Sequence, residues 1–200
     1  MQLHSVEQKS PEWFALRVKY PLTASEAQAI GNQGKGLETL CMEQMAKRYS
    51  SNEEDGYSNE DLERGVELEP QARSLYELET GNTVVEVGFV TNDEVSSVGG
   101  ASPDGLVNDD GTLEIKAFEN KKHFKAIVEG LEIESKYVWQ MQMQMLMTGR
   151  KWCDFVAFNP NYSQSLIIKR VEADAVMQEK IRTGLAMGEK IIMGIESKIK

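Results

Sequence analysis

The order of hydrophobic patterns along the chain predicts an α/β fold with a central mixed β-sheet flanked by helices. Helical patterns occupy most of residues 11–79, strand patterns separated by turn residues follow over residues 82–118, and two helices, two strands and a long helix come next. Such an order is typical of a sheet whose faces are covered by helices. A chain of 200 residues is long enough to bury one core, so we expect a single domain over residues 1–200.

Composition argues against several protein classes. No apolar run approaches the roughly 20 residues that a membrane-spanning helix needs, so no membrane partner is expected. The first residues lack the basic and then apolar segments of a secretory signal. Two distant cysteines, Cys41 and Cys153, do not make a disulfide framework. We therefore expect a reducing, cytoplasmic setting.

Three helices are predicted before residue 50. The first covers residues 11–19, with Pro11 at an early helical position. Thr23 and Glu26 form a capping-box pattern that predicts the start of the second helix, which is expected to stop at Gly31. The third has an apolar face made of Leu37, Leu40 and Met45.

Residues 50–61 are polar, acidic and low in complexity, which is typical of a solvated, mobile loop. A helix over residues 59–79 is expected to follow, interrupted or kinked near Pro70 and ended by Gly81.

His123 belongs to a later predicted helix, where we expect it on the surface rather than in a metal site with His4.

Residues 140–145, with the sequence QMQMQM, fit two structures. Alternation with period two is typical of a strand. Against this, Gln, Met and Leu are good helix formers, and no β-branched residue occurs between Trp139 and Met147, so we predict a helix. The last helix is amphipathic, with apolar residues near helical spacing at Met177, Ile181, Leu185, Ile192, Ile195 and Ile199.

The segment SPDGLVNDDGTLEIK, residues 102–116, holds the most informative set of polar side chains. Glu114 and Lys116 are two apart on a predicted strand, so they project from the same face. Ile115, between them, is expected to point the other way, into the core.

Whether Asp104 joins this face depends on the turn. A two-residue turn at Asp110-Gly111 pairs Asp104 with Ala117 and places it on the opposite face. A three-residue turn over residues 109–111 pairs it with Lys116 and places it on the same face. The chemistry favours the three-residue turn, or an equivalent bulge, with Gly111 as its left-handed residue.

Two carboxylates beside one ammonium suit the hydrolysis of a phosphodiester. Mg²⁺ prefers oxygen ligands such as the Asp104 and Glu114 carboxylates, and the Ile115 carbonyl is a further candidate. The metal would polarise the phosphoryl group and lower the pKa of a bound water. Lys116 is placed to orient or help deprotonate that water and to offset charge in the transition state. A common turn beside a solvated Glu-x-Lys pair is the simpler structural explanation, because short motifs are often false positives.

Further motifs accompany this segment along the chain. In order, they are W-x-x-L-R (Trp13, Leu16, Arg17), TASE (Thr23 to Glu26), G-x-x-x-E-x-x-A-R (Gly65, Glu69, Ala72, Arg73), SPDGL, LEIK, and Y-x-x-Q-x-Q followed by a strand ending F-N-P (Tyr137, Gln140, Gln142, Phe158 to Pro160). Together they resemble the motifs of the phage lambda exonuclease family, also called YqaJ-type recombinases, in the PD-(D/E)xK nuclease superfamily. The resemblance runs from about Trp13 to Pro160, with six pieces in the right order and spacing. It implies a restriction-endonuclease-like (PD-(D/E)xK) core for the predicted sheet.

The resemblance also implies roles for individual residues. The implied catalytic set is Asp104, Glu114, Lys116, Glu69 and Gln140, and the implied metal ligands are Asp104, Glu114 and the Ile115 carbonyl. Glu69 would add an acidic group near the metal, and Gln140 would position the water or the metal's ligands. Without the resemblance, Glu69 is explained as a surface glutamate and Gln140 as an exposed helix amide. The implied cofactor is Mg²⁺, with Mn²⁺ as a substitute.

Arg17, Thr23 and Ser25 match the family's pocket for a 5′-terminal phosphate. The first amides of a helix that starts at Thr23 form an anion site, and Arg17 can bind phosphate bidentately; helix capping also explains Thr23. Trp13 is expected near the terminal nucleotide or in the core. Lys122, in the basic cluster beside the catalytic strand, is expected to contact the DNA backbone or to be a solvated helix start.

The resemblance predicts a Mg²⁺-dependent 5′-to-3′ exonuclease that digests linear double-stranded DNA and leaves 3′ single-stranded tails for phage-type recombination. The implied partners are double-stranded DNA ends, two further copies in a homotrimer ring, and a single-strand annealing protein. A structure- or sequence-specific endonuclease of the same superfamily and a non-catalytic DNA-end-binding accessory protein are the alternatives.

Three features depart from what such a protein leads us to expect. The net charge of −10 is unusual for DNA binding, although metal sites need carboxylates and the local field matters more than the total. The acidic stretch over residues 50–61 is long, and Ala117-Phe118 stands where the family can have Cys-Pro after its catalytic lysine.

Overall fold

The central sheet has five strands, in the order β3 (Val84–Val85), β6 (Gly105–Val107), β7 (Gly111–Ala117), β8 (Trp152–Phe158) and β9 (Leu166–Glu172). β7 and β8 are parallel and the other neighbours are antiparallel, so the sheet is mixed, as predicted. β1 (Gln2–His4) pairs with β4 (Phe89–Thr91), and β2 (Leu22–Thr23) pairs with β5 (Gly99–Gly100). The structure is a computed structural model, which describes residues 1–50 and 60–199.

Helices form on both sides of this sheet. Within the described residues they are α1 (Pro11–Lys19), α2 (Ala27–Asn32), α3 (Gly34–Tyr49), α4 (Glu60–Thr80), α5 (Asn120–Glu129), α6 (Ser135–Thr148) and α7 (Ala175–Glu196). None of these is long and apolar enough to cross a membrane. A 3₁₀ turn at Ala24–Glu26 precedes α2.

Two apolar layers hold the helices on the sheet. On one face, Tyr76 of α4 packs in a cluster with Ile115 and Val156. On the other face, Met141 of α6 packs with Phe155. A third cluster joins α2, α3, α6 and α7 through residues such as Leu37 and Leu185. Ile115 points into the core, as predicted, because it is one position out of phase with its neighbours on β7.

Several local predictions are confirmed. Ser10 caps α1, its hydroxyl accepting the Trp13 N–H at 3.2 Å, and Pro11 follows at the first helical position, where a missing N–H has no cost. The QMQMQM segment is helical, within α6. The predicted apolar face of α3 is buried. α4 ends before Gly81, which has a φ of 71°, a conformation that glycine adopts without strain.

Other local predictions are wrong. Of the two alternatives predicted at Pro70, an interruption or a kink, the interruption is wrong, because α4 is continuous across this residue. Thr23 lies at the end of β2 and its hydroxyl caps no backbone N–H of the following 3₁₀ turn, so no regular helix begins there. Gly31 does not end α2, which continues to Asn32. Gly31 is instead buried beneath Trp139, where a Cβ would come within 2.2 Å of a ring carbon.

His123 is buried, not at the surface, because α5 turns it inward, where its Nε2 lies 2.8 Å from the Gln164 carbonyl oxygen. Ile199 lies beyond the end of α7 and is 45% exposed, so it does not extend the apolar face of that helix. The mobile loop predicted over residues 50–61 lies mostly outside the described residues.

Candidate active site

The hairpin of β6 and β7 decides which side chains meet. Gly105 is paired with Leu113 and Val107 with Gly111, so the turn has three residues, Asn108 to Asp110. The predicted length is right, but the turn begins one residue earlier than predicted, and this register, continued beyond Gly105, places Asp104 opposite Glu114 instead of Lys116. A one-residue movement of the turn changes the pairing by two positions, and side chains alternate with period two, so the predicted common face is kept.

The left-handed residue of this turn is Asn108, with a φ of 44°, and not Gly111 as predicted. Gly111 begins β7, and a Cβ there would come within 2.2 Å of the Trp152 ring, so its role is to admit that ring. Arg150 closes the turn from outside: its Nη1 donates to the carbonyl oxygens of Val107, Asn108 and Gly111 at 3.0, 2.8 and 2.7 Å. No sequence motif indicated this contact.

Asp104 is fixed by the backbone of the neighbouring strand. The Ile115 N–H donates to Asp104 Oδ2 at 2.6 Å, and the Asp104 N–H donates to the Leu113 carbonyl at 3.0 Å. Burial, and then the neighbouring Glu114 carboxylate, raise the pKa of Asp104 well above its ordinary value, while Lys116 opposes that rise. Both effects disfavour the charged carboxylate, and a cation held between the two carboxylates would offset them.

Glu114 is fully buried and receives three donors. Lys116 Nζ lies 2.5 Å from its Oε1, and Gln140 Nε2 donates to the same oxygen at 2.8 Å. Gln144 Nε2 donates to Oε2 at 2.6 Å. Burial lowers the pKa of Lys116, but Glu114 and Asp104 outweigh it, so the pKa is raised above its ordinary value and the ammonium is retained.

Glu69 approaches from α4 and is engaged by a different residue. Arg73 Nη2 lies 2.6 Å from its Oε1, one helical turn away, and Arg73 Nη1 lies 2.5 Å from Glu86. Burial raises the pKa of Glu69, and Arg73 opposes the rise. Glu69 is close enough to Asp104 and Lys116 to act on them electrostatically. No group of three or more His, Cys, Asp or Glu side chains that could hold a metal occurs in the described part of the chain.

The donor set nevertheless fits a hard cation, because a backbone oxygen completes it. The N–H and C=O of one strand residue point to the same edge, and the Ile115 N–H reaches Asp104 there, at a position that β6 no longer covers. The Ile115 carbonyl therefore opens to the same edge as the Asp104 carboxylate. Two carboxylates and one carbonyl are oxygen ligands of the kind that Mg²⁺ takes, with water at its remaining positions.

A second cluster forms where α1 meets the 3₁₀ turn. Arg17 Nη2 donates to the Ser25 hydroxyl at 3.2 Å, and the Ser25 and Thr23 hydroxyls are 3.1 Å apart. Glu26 enters this cluster: the Thr23 hydroxyl donates to its carboxylate, and Arg17 lies 3.7 Å from it. Burial lowers the pKa of Arg17, and Glu26 opposes that effect. The sequence placed Arg17, Thr23 and Ser25 together, but it assigned Glu26 only to a helix cap.

Trp13 connects this cluster to the hairpin. Its ring lies 4.6 Å from the Arg17 guanidinium carbon, and its Nε1 donates to Ser102 Oγ at 2.9 Å and to the Gly88 carbonyl at 3.1 Å. Ser102 is two residues before Asp104, so the two clusters share one short segment of backbone. Trp13 is only partly buried and belongs to none of the apolar clusters, so the predicted core position is wrong, while its contact with a terminal nucleotide stays a prediction.

Lys122 does not join either cluster. Its Nζ lies 2.5 Å from Glu134 and 4.3 Å above the Phe118 ring, on the exposed side of α5. Gln144 and Ser102 are site residues without a predicted role. The sequence could have indicated Gln144, because it is four residues after Gln140 and so lies on the same face of a helix. No sequence pattern indicated that Ser102 would accept a hydrogen bond from Trp13.

The five-stranded mixed sheet and the acidic hairpin at its centre define the PD-(D/E)xK fold class, as predicted. Residues 12–151 match the model of the YqaJ-like viral recombinase domain, and the chain belongs to that family.

Solved structures agree with this assignment. An alkaline exonuclease (LHK-Exo) from Laribacter hongkongensis is 34% identical, with a TM-score of 0.79 over 95% of this chain and 98% of that one. Its complex with dAMP gives 35% identity and the same TM-score and coverage. A phage related exonuclease from Haemophilus somnus 129PT, 17% identical with a TM-score of 0.65 over 90% of this chain and 96% of that one, shares the fold. The search of curated proteins gave no match.

Proposed function

We propose that this chain is a Mg²⁺-dependent exonuclease that digests linear double-stranded DNA from the 5′ end and leaves 3′ single-stranded tails. The observation that carries the proposal is the set of Asp104, Glu114 and Lys116 on one face of the β6–β7 hairpin, with the Ile115 carbonyl at the same edge. Membership of the YqaJ-like family and 34% identity to a protein named as an alkaline exonuclease support the reaction class.

Asp104, Glu114 and the Ile115 carbonyl would hold the metal, with Mn²⁺ as a substitute for Mg²⁺. When bound, the metal supplies a polarised phosphoryl group and a water of lowered pKa. Lys116 keeps its ammonium beside both carboxylates, so it donates hydrogen bonds that orient the water and offset charge on the phosphate. Gln140 holds the Glu114 carboxylate in place, and Glu69 adds negative charge from α4.

The cluster of Arg17, Thr23 and Ser25 would receive the 5′-terminal phosphate. The Arg17 guanidinium lies 3.2 Å from the Ser25 hydroxyl, which lies 3.1 Å from the Thr23 hydroxyl, so the cluster offers several donors to one anion. Trp13 would lie against the terminal nucleotide, and its bond to Ser102 ties the cluster to the segment that carries Asp104. Lys122 would contact the DNA backbone after it leaves Glu134.

The test uses linear duplex DNA labelled separately at each 5′ and 3′ end, incubated with Mg²⁺ or with EDTA. We expect early Mg²⁺-dependent release of the 5′ label, while the 3′-ended strand persists. Internal cuts, or cutting of closed circular DNA, would replace the proposal with an endonuclease of the same superfamily. Binding to ends without cleavage of linear, circular or branched DNA under varied metals would replace it with an accessory DNA-end-binding protein.

Two assembly proposals accompany this function. A homotrimer ring around the DNA would keep the enzyme on its substrate, and light scattering is expected to give three times the chain mass of 22.5 kDa. A monomeric mass would contradict the ring.

A single-strand annealing protein is the proposed partner for the 3′ tail, and a pull-down with such a protein tests this interaction.

A further inference from the structure

Helix α6 buries two glutamines among methionines. Gln142 and Gln144 are 1% and 0% exposed, and the alternate positions are occupied by buried methionines, Met141, Met143, Met145 and Met147. A buried amide is unfavourable unless its donors and acceptors find partners. The partners of each amide therefore indicate why it is there.

The amide of Gln142 is used by the fold. Its Nε2 donates to the Glu172 carbonyl at 2.8 Å, and its Oε1 accepts the Asp174 N–H at 2.8 Å. These contacts join the end of β9 to the start of α7. Gln142 faces away from the acidic hairpin, since it is two residues, about half a helical turn, from both Gln140 and Gln144.

The amide of Gln144 is used only by Glu114. Its Nε2 donates to Glu114 Oε2 at 2.6 Å, while its Oε1 is buried with no hydrogen-bond partner in the described part of the structure. An unsatisfied buried acceptor is destabilising. Because the amide has no other hydrogen-bond partner among the described residues, the contact with Glu114 is what the glutamine provides.

The three donors divide unequally between the two oxygens of Glu114. Lys116 and Gln140 both approach Oε1, and Gln144 alone approaches Oε2. A carboxylate accepts about four hydrogen bonds or ligands in total. One position therefore stays open on Oε2, the oxygen whose direction Gln144 sets.

We infer that Gln144 is a positioning residue that fixes the Glu114 carboxylate so that Oε2 is presented as the metal ligand. This inference rests on the proposed function and deepens it. Gln140 and Gln144, one helical turn apart on α6, hold the two oxygens from one side. Without Gln144, the carboxylate would turn about its last torsion, a soft one, and Oε2 would lose its fixed direction.

The experiment compares Gln144→Met with Gln142→Met, which introduces the same residue at equal burial on the same helix. Two quantities are measured: the rise in Tm produced by Mg²⁺ alone, without DNA, and the Mg²⁺ concentration that gives half-maximal cleavage of linear duplex. Loss of a residue that orients a metal ligand costs about 10–100-fold in metal affinity. For Gln144→Met we expect at least a tenfold higher half-maximal Mg²⁺ concentration and a reduced Mg²⁺-induced Tm rise.

Gln142→Met is expected to lower the Tm in the absence of metal, because it leaves the Glu172 carbonyl and the Asp174 N–H unpaired, and to keep the wild-type response to Mg²⁺. Gln144→Asn, whose amide is one methylene shorter, repeats the test if Gln144→Met does not fold. If the Gln144 variants respond to Mg²⁺ like the wild type, or if Gln142→Met loses as much of the Mg²⁺ response as they do, the inference about Gln144 is wrong and the proposed function still stands. If the wild-type protein shows neither a Mg²⁺-induced Tm rise nor Mg²⁺-dependent cleavage, the proposed function is wrong as well.

Discussion

The acidic hairpin and the Arg17 cluster hold their polar groups in different ways. Glu114 is fully buried and takes donors from α6 and from its own strand. Arg17 and Glu26 keep 26% and 25% of their side-chain surface exposed and are held by residues of one short segment. The hairpin is thus set in its geometry before any ligand arrives. In the Arg17 cluster a ligand must first displace contacts that the protein already makes.

The energetic consequence follows from burial. The Lys116–Glu114 pair joins an ammonium that is 30% exposed to a fully buried carboxylate, so breaking the pair leaves an uncompensated buried charge and is destabilising. A partly exposed pair such as Arg17 with Glu26, at 3.7 Å, contributes about 0–1 kcal/mol. Substitutions in the hairpin should therefore have large effects on catalysis, and those in the Arg17 cluster should change preference between DNA ends.

The largest effect is expected for Lys116→Ala. It removes the ammonium that lies 2.5 Å from Glu114, and loss of one such charge-stabilising donor lowers a rate by about 100- to 1,000-fold. DNA binding should be unchanged, since the Arg17 cluster is intact. Cleavage and end binding in EDTA are measured side by side, with Lys190→Ala on the exposed face of α7 as control. Cleavage at the wild-type rate would remove Lys116 from the mechanism.

Gly31→Ala tests the packing that joins the two regions. Gly31 of α2 lies under Trp139, next to Gln140 on α6, and a Cβ would come within 2.2 Å of the ring. Overpacking of this kind costs about 1–3 kcal/mol in the free energy of unfolding. Gly36→Ala is the matched variant, with nothing within 4 Å of its Cβ, and should be neutral or stabilise by up to about 1 kcal/mol. Urea unfolding of both measures the difference, and equal stabilities would contradict the packing.

Arg17→Ala is expected to reduce the preference for phosphorylated 5′ ends about tenfold, because a hydrogen bond to a charged group contributes about 1.5–3 kcal/mol. The measurement is the ratio of cleavage rates on 5′-phosphate and 5′-hydroxyl duplexes. Arg17→Lys keeps the charge but loses the planar guanidinium, so its preference for phosphorylated ends should lie between that of the wild type and that of Arg17→Ala. Equal loss on both kinds of end would mean that this cluster does not bind the phosphate.

The smallest effect is expected for Glu26→Gln. It removes the negative charge that competes with a phosphate for Arg17 and Thr23. Preference for phosphorylated ends should rise by a few-fold, within the about 0–1 kcal/mol of a partly exposed pair, and more at low salt than at high salt. The measurement is the ratio of cleavage rates on 5′-phosphate and 5′-hydroxyl duplexes at two ionic strengths. A fall in preference would show that Glu26 supports the cluster instead of competing with its ligand.

One part of the candidate site could be predicted because it is local: Glu114 and Lys116 share a face through the period of a strand. The pocket of Arg17, Thr23 and Ser25 and the role of Gln140 came from the family motifs. Gln144 was missed because the family motif ends at Gln142 and the pattern around Gln144 indicated only secondary structure. Glu26 was missed because its capping pattern had an adequate local explanation.

What the sequence by itself determined is what neighbouring residues control: the helical state of α6, the mixed α/β order, and the common face of Glu114 and Lys116, which lie two residues apart on one strand. Backbone periodicity and steric preference act over a few residues, so they can be seen in a short pattern. The tertiary structure alone decided the pairing of Asp104 with Glu114, the bond from Trp13 to Ser102, and the use of Gln144. Those contacts join segments up to 89 residues apart, and they depend on how helices and strands pack together, which no local pattern specifies.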